Sequence, residues 1–233
     1  MSIRPRVLEA LATVHDPELD EPITELRFVT ACEVSPAGDV EVRLRLPTPQ
    51  CAPNFAYLMV ADAREAVRRL PEVRGVTVVL EDHYTGEEIN AAVGRGAGFG
   101  EAFPGETRGE LDALRELFQR KALVARQAGL CEALLRAGET AEQVTARRVA
   151  ELELDDGPDA RRCLELRECL GIGSEPADPA FVRPDGAPIT SAELPRWLRT
   201  ASLVRLSLEV NGGICRSLLQ IRYDLSNPEE VAA

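Results

Sequence analysis

Of the six cysteines, at positions 32, 51, 131, 163, 169 and 215, Cys51 stands in the surroundings best suited to chemistry. It lies in Leu46-Pro47-Thr48-Pro49-Gln50-Cys51-Ala52-Pro53-Asn54, a stretch that closes an alternating segment and opens an amphipathic one. A sulfur just ahead of a helix meets the first unpaired backbone N–H groups and the positive end of the helix dipole. That setting suits a sulfur that binds metal or attacks an electrophile. Cysteine is also a small buried hydrophobe, so position alone weighs packing equally with function. The cysteines form no CxxC pair and no zinc-finger spacing, and nothing in them reads as a disulfide framework. Cys163 and Cys169, six apart on one predicted helix, face different ways and are expected to be packing residues.

The elements that must position Cys51 are legible on both sides of it. Val7, Leu8, Leu11 and Val14 have helical spacing, and Pro17 stops that helix by pushing its predecessor out of the α region. Phe28 to Val34 reads as a strand, Ser35 to Asp39 as a turn, and Val40 to Leu46 as a second, antiparallel strand. In the second strand Val40, Val42, Leu44 and Leu46 alternate with Glu41, Arg43 and Arg45, so one face is buried and one is wet. Pro53 fits the first turn of a helix striped by Phe55, Met59, Ala66 and Leu70, which Pro71 ends. Val76, Val78 and Leu80 then make a third strand, parallel to the second through a right-handed crossover.

This order of strands brings three polar loops to one sheet edge. Asp16 to Leu19 precedes the first strand, Thr48 and Cys51 follow the second, and Asp82 and His83 follow the third. Ligands of open α/β sheets bind at such edges. His83 is weighed as a structural hydrogen-bonder against a site residue, with the structural role the commoner one.

Beyond residue 92 the pattern changes. Residues 93–108 carry alternate glycines and read as a linker or lid bearing Phe99 and Phe103; no Gly-Lys-Ser/Thr follows, so this is not a phosphate loop. Residues 109–225 read as a mainly helical extension, with a capping box at Thr140 and Gln143, a helix opened at Pro158 and closed at Gly171, and another start at Thr190 and Glu193. For residues 203–223 two readings compete: two helices broken at Gly212-Gly213, which is preferred, or a hairpin turning at Asn211-Gly212. The fold class is therefore α+β: a small helix-hairpin-helix-strand domain over 1–92 followed by helices.

A formal net charge of −12 argues against nucleic-acid partners and against attraction to anionic membranes, and points to proteins or cations. No apolar run approaches the length of a membrane span, and a reducing cytoplasm is the expected location.

Asp16-Pro17-Glu18-Leu19, then Ile23, Leu26, Phe28 and Val29, then Thr48 and Cys51 ahead of Ala52-Pro53, resemble the metal-sulfur cluster assembly family, the PaaD-like and SufT-like proteins. The resemblance covers about residues 3–90. It implies an iron-sulfur cluster assembly type of fold, with Cys51 as the signature cysteine and a metal ligand. By the same resemblance Asp16, Glu18, Leu19 and Thr48 are supporting residues. Ala52 stands where proline is common, Pro47 where a second threonine is frequent, and Arg27 where glycine is frequent. The whole chain looks like longer relatives that accompany soluble di-iron monooxygenases of the propane-oxidising type.

The resulting expectation is a maturation factor that assembles, holds or delivers iron or an iron-sulfur cluster, transiently, to a client metalloenzyme. Cluster scaffold proteins are further partners, and a single ligand cysteine per chain suggests sharing across a homodimer or with the client. The alternative is a metal-free adaptor or chaperone for that client. An enzyme with Cys51 as nucleophile and His83 or His15 as base ranks below both. A chain cut near residue 100 is expected to retain the site, with the extension choosing the client.

Overall fold

Alternation in the second predicted strand is realised as a sheet with one buried face. In the computed structural model, which describes residues 3–105, 111–153 and 157–223, β1 (Val29–Val34), β2 (Asp39–Arg45) and β3 (Gly75–Glu81) form a sheet in that order. β1 pairs antiparallel with β2, and β2 pairs parallel with β3 from Asp39↔Gly75 to Arg45↔Glu81. Val40, Val42 and Leu44 of β2 are buried, and so are Val78 and Leu80 of β3. The opposite face carries Arg43 and Arg45, both paired with Glu81. Gly38 supplies the left-handed turn of the hairpin, at φ +90°, where a Cβ would meet the Glu72 carbonyl oxygen at 2.8 Å.

Helices cover the apolar face. α1 (Arg4–Ala12) buries Val7 and Leu11, while α2 (Pro53–Arg68) begins with proline in its first turn and buries Ala56, Leu58, Met59, Val60, Ala63 and Val67. α3 (Gly86–Arg95) follows β3, and Asn90 on it donates to the Leu80 carbonyl at 3.1 Å while accepting from the Leu80 N–H at 2.8 Å. That amide pairs backbone groups at the sheet's edge strand.

The glycine-rich stretch departs from its reading as a loose linker or lid. Gly96 closes α3 in the left-handed conformation, and α4 (Phe99–Ala102) follows. Phe99 and Phe103 are buried against each other, with the Phe99 ring edge-on to Tyr57 at 5.5 Å. The Tyr57 hydroxyl donates to the Ala97 carbonyl at 2.7 Å. Residues 106–108 of the stretch lie outside the described residues.

The chain divides into two compact units, Met1–Ala113 with Asn211–Ala233, and Leu114–Val210. The second unit is helical, with most of α5 (Asp112–Arg136), then α6 (Ala141–Ala146), α7 (Val149–Glu153), α8 (Pro158–Cys169) and the first part of α9 (Leu194–Tyr223). The Thr140–Gln143 capping box is present in full. Cys163 is fully buried beside Leu123 and Leu166, whereas Cys169 is exposed and is therefore not a packing residue. Arg167, almost wholly buried, donates to the Gly173 and Ala180 carbonyls, and burial lowers its pKa from the usual guanidinium value. No helix among the described residues is long and apolar enough to cross a membrane.

Residues 203–223 correct both sequence readings, since α9 is one continuous helix through Gly212-Gly213. Each glycine costs a helix about 1 kcal/mol relative to alanine, but here Gly212 lets the helix approach the Glu21 carboxylate, 2.6 Å from where a Cβ would stand. The last turns of α9 belong to the first unit, so the boundary between domain and extension is not a single cut in the sequence.

Arg27 is exposed with φ +59°, in the left-handed region where glycine is the natural occupant. Such backbone costs a non-glycine residue on the order of 1–2 kcal/mol, part of which glycine's freedom in the unfolded chain takes back. Arg27→Gly is expected to raise stability by about 0.5–1 kcal/mol in urea unfolding. A loss of stability would mean that the arginine side chain contributes more than the strain costs.

Candidate functional site

The loop from β2 to α2 is held by its own threonine and by the loop after β3. Thr48 Oγ1 lies 3.5 Å from Cys51 Sγ and accepts the Gln50 N–H at 3.3 Å. The Cys51 N–H donates to the Thr48 carbonyl at 3.4 Å, and the Tyr84 N–H to the Pro49 carbonyl at 3.0 Å. Ala52 is the N-cap of α2 and offers no side-chain cap, so Cys51 is the last side chain with a donor or acceptor before the helix. Its sulfur is half-buried and bears no disulfide.

His83 reaches the backbone of Cys51. Its Nε2 donates to the Cys51 carbonyl at 2.8 Å, which places the ring proton there in the neutral imidazole. Nδ1 is then the acceptor, taking the Thr85 N–H at 3.2 Å and the Thr85 hydroxyl at 3.1 Å. With both ring nitrogens engaged, His83 is a strut that fixes the cysteine loop. It offers no free nitrogen as metal ligand or general base in this arrangement.

The acidic loop between α1 and β1 is wound around Asp16. Its Oδ1 accepts the Glu18 N–H at 2.8 Å and the Leu19 N–H at 2.9 Å, and its backbone exchanges bonds with Glu21 and Asp20. Leu19, buried at 3%, anchors the loop in the core, and Glu18 is exposed. Burial pushes the Asp16 carboxyl up to about 6 against the pull of the Leu19 and Glu18 N–H groups; the nearby Glu18 and Glu21 charges push the same way as burial.

Sequence reasoning passed over a second thiol. The final turns of α9 lie on the first unit: Arg216 pairs with Glu21, while Arg222 Nη2 and the Tyr223 hydroxyl donate to Asp82 Oδ2 at 3.0 and 2.5 Å. The Arg45 guanidinium sits over the Tyr223 ring at 4.6 Å, and Leu219 is buried. Burial and the Asp82 carboxylate push the Tyr223 hydroxyl up to about 12. On this inward face, between Gly212 and Leu219, stands Cys215. Its thiol is pushed up to about 11, first by burial and then by the charges of Asp16, Cys51 and Glu18, with Arg216 opposing. The inward period Gly212, Cys215, Leu219 and Arg222 was the available signal, but only a continuous helix makes it visible. A chain cut near residue 100 would lose this whole layer.

Of the residues singled out in the sequence, Thr48 touches Cys51 through its hydroxyl and His83 through the backbone, Leu19 is an anchor, and the charges of Asp16, Cys51 and Glu18 act on Cys215. Among the described residues no group of three or more His, Cys, Asp or Glu side chains is arranged to hold a metal ion. What the arrangement offers is thiol and carboxylate donors short of a closed coordination shell.

Asp16 makes a pH prediction. Below its ordinary value of 3.8 both folded and unfolded chains hold the proton; between 3.8 and about 6 only the folded chain does. Stability therefore falls as pH rises through that window, by on the order of 3 kcal/mol once it is crossed. Asn at this position still accepts the two N–H bonds but does not titrate. Asp16→Asn is expected to gain on wild type by about that amount between about pH 4 and about pH 7 in urea unfolding, and a constant difference would contradict the raised carboxyl.

The profile of a family described as iron-sulfur cluster assembly protein matches residues 4–79. An uncharacterized protein of Methanocaldococcus jannaschii is 36% identical over 84 residues, spanning 36% of this chain and 86% of the relative. No solved structure matches. The family match takes in the acidic loop, the cysteine loop and nearly all of the sheet, and leaves His83 and Cys215 outside it. Through this domain the chain belongs to the iron-sulfur cluster assembly protein family.

Proposed function

We propose that the protein is a maturation factor that holds or hands over iron, or an iron-sulfur unit, to a client metalloenzyme, with Cys51 as its working thiol. The observation that carries this reading is the half-buried Cys51 sulfur in a loop fixed by Thr48 and His83, within the family domain. A carrier needs a donor that is held in place yet open to exchange, and an incomplete donor set suits cargo that must leave again. Asp16 supports the same reading, because a carboxyl kept buried at a cost to stability is the kind of perturbed group that clusters at functional sites.

The finer assignments rest on the sequence resemblance. By it the protein is of the PaaD-like and SufT-like kind, acts in the cytoplasm with scaffold proteins as donors, and serves a di-iron monooxygenase of the propane-oxidising type. A protein partner is also supported by exposed apolar groups in the first unit: Tyr84, 73% exposed beside His83, and Ile214, Leu218 and Ile221 along the outer side of α9. A second copy of the chain and the client are both readings for that side. A nucleophilic-cysteine enzyme is disfavoured by the engagement of both His83 nitrogens.

Anaerobic loading with iron and sulfide, followed by metal analysis, tests the proposal. Wild type is expected to retain iron and to show Cys51 protected from alkylation by it, and Cys51→Ser to lose the iron with unchanged melting. Cys163→Ser, in the core, is expected instead to melt earlier, at a cost on the order of 1 kcal/mol or more. Iron retention equal in wild type and Cys51→Ser would overturn the metal-handling role, and client capture without iron would favour a metal-free adaptor.

A further inference from the structure

The side of α9 turned away from Gly212 and Leu219 is apolar and bare. Leu203, Leu206, Val210, Ile214, Leu218 and Ile221 recur every three or four residues along this one continuous helix and are 41–80% exposed. They share a face about 120° wide with Ser207 and Ser217, and Arg205, Glu209 and Arg216 lie off it. At about 1.5 Å per residue the stripe is about 27 Å long. In a chain that is 28% charged, so long an uncharged face marks a surface that another molecule covers. The spacing is also the same read from either end. Leu203 and Ile221 lie nine residues on either side of Gly212, Leu206 and Leu218 six, Ser207 and Ser217 five, and Val210 and Ile214 two. Gly213, beside this centre, has nothing of its own chain within 4 Å of where a Cβ would stand, so no contact within the chain calls for glycine there, although glycine weakens a helix.

We propose that a second copy of the chain covers this face, the two α9 helices packing antiparallel across a two-fold axis beside Gly212 and Gly213. The pairing goes beyond the maturation reading and does not depend on it. A two-fold interface requires every contact to occur twice with the roles exchanged. With the axis at Gly212, Leu203 meets the partner's Ile221, Leu206 the partner's Leu218, and Val210 the partner's Ile214, each contact recurring in reverse. Ser207 likewise meets the partner's Ser217, and the small residues at the centre let the two backbones approach. Charge fits the same arrangement. Beyond the pairs they make with Arg205 and Glu21 in their own chain, Glu209 comes level with the partner's Arg216 on one shoulder of the stripe, and antiparallel helix dipoles oppose each other. A client of unrelated sequence gives no reason for a spacing symmetric about one residue; an antiparallel copy of the same helix requires it. A helix pair of this length buries on the order of 1,000 Å² in all, near the lower limit of specific interfaces, so the dimer is weak and assembles at micromolar concentrations.

Analytical ultracentrifugation of the full chain from about 1 to about 200 µM is expected to show a reversible equilibrium between monomer and dimer. Val210→Lys and Ile214→Glu each set a lone charge against an apolar partner, and each is expected to weaken the dimer at least about tenfold, with unchanged melting of the dilute chain. Mixed in equal amounts, the two variants are expected to recover most of the lost affinity, because the new ammonium then faces the new carboxylate across the axis. A parallel pair would set position 210 against 210 and gain nothing from mixing. Gly213→Ala, which meets nothing in its own chain, is expected to keep or raise the melting of the dilute chain while weakening the dimer several-fold. A wild type that stays monomeric throughout would overturn the pairing and leave the face to the client. A dimer indifferent to the two charges or to Gly213→Ala, or one that the mixture fails to restore, would overturn it as well.

Discussion

The parallel pairing of β2 with β3 is the constraint from which the site follows. Arg45 is registered against Glu81, so the segment leaving β2 and the segment leaving β3 emerge side by side. Only then does His83, two residues past β3, reach the carbonyl of Cys51, six past β2, over a single hydrogen bond. A one-residue slip in register would turn Val78 and Leu80 out of the core and carry His83 away from the loop it braces. The apolar alternation of the strands therefore secures the geometry of the thiol as well as the fold.

The site's electrostatics is one of restraint. Asp16 is buried with its charge opposed, its carboxyl lifted to about 6, and Cys215 is lifted to about 11 by burial and by the same acidic loop. In the metal-free protein these groups favour holding protons.

Most of the described first unit was legible from local patterns. The hairpin, both proline-started helices and the parallel crossover follow from alternation, turn residues and Pro17, Pro53 and Pro71, each acting within a few residues of itself. Cys51 and Thr48 were legible for the same reason, since strand end and helix start lie next to them. The role of His83 was only half legible: its loop was placed by topology, but that both its nitrogens are spent on backbone and Thr85 depends on side-chain geometry.

What the sequence by itself determined is the set of elements whose causes are local, together with the thiol standing between two of them. What only the tertiary structure decided is everything that depends on residues far apart in the chain. Gly212 and Gly213 look like a helix break because intrinsic propensity charges for them, yet the helix continues where Glu21, Asp82 and the core pocket of Leu219 receive it. Likewise Phe99 and Phe103 look like lid residues until Tyr57 is seen to pack against the first of them. Arg216, Arg222 and Tyr223 carry no local mark of their roles either; their pairing with Glu21 and Asp82 joins residues far apart in the chain, which no pattern of spacing encodes.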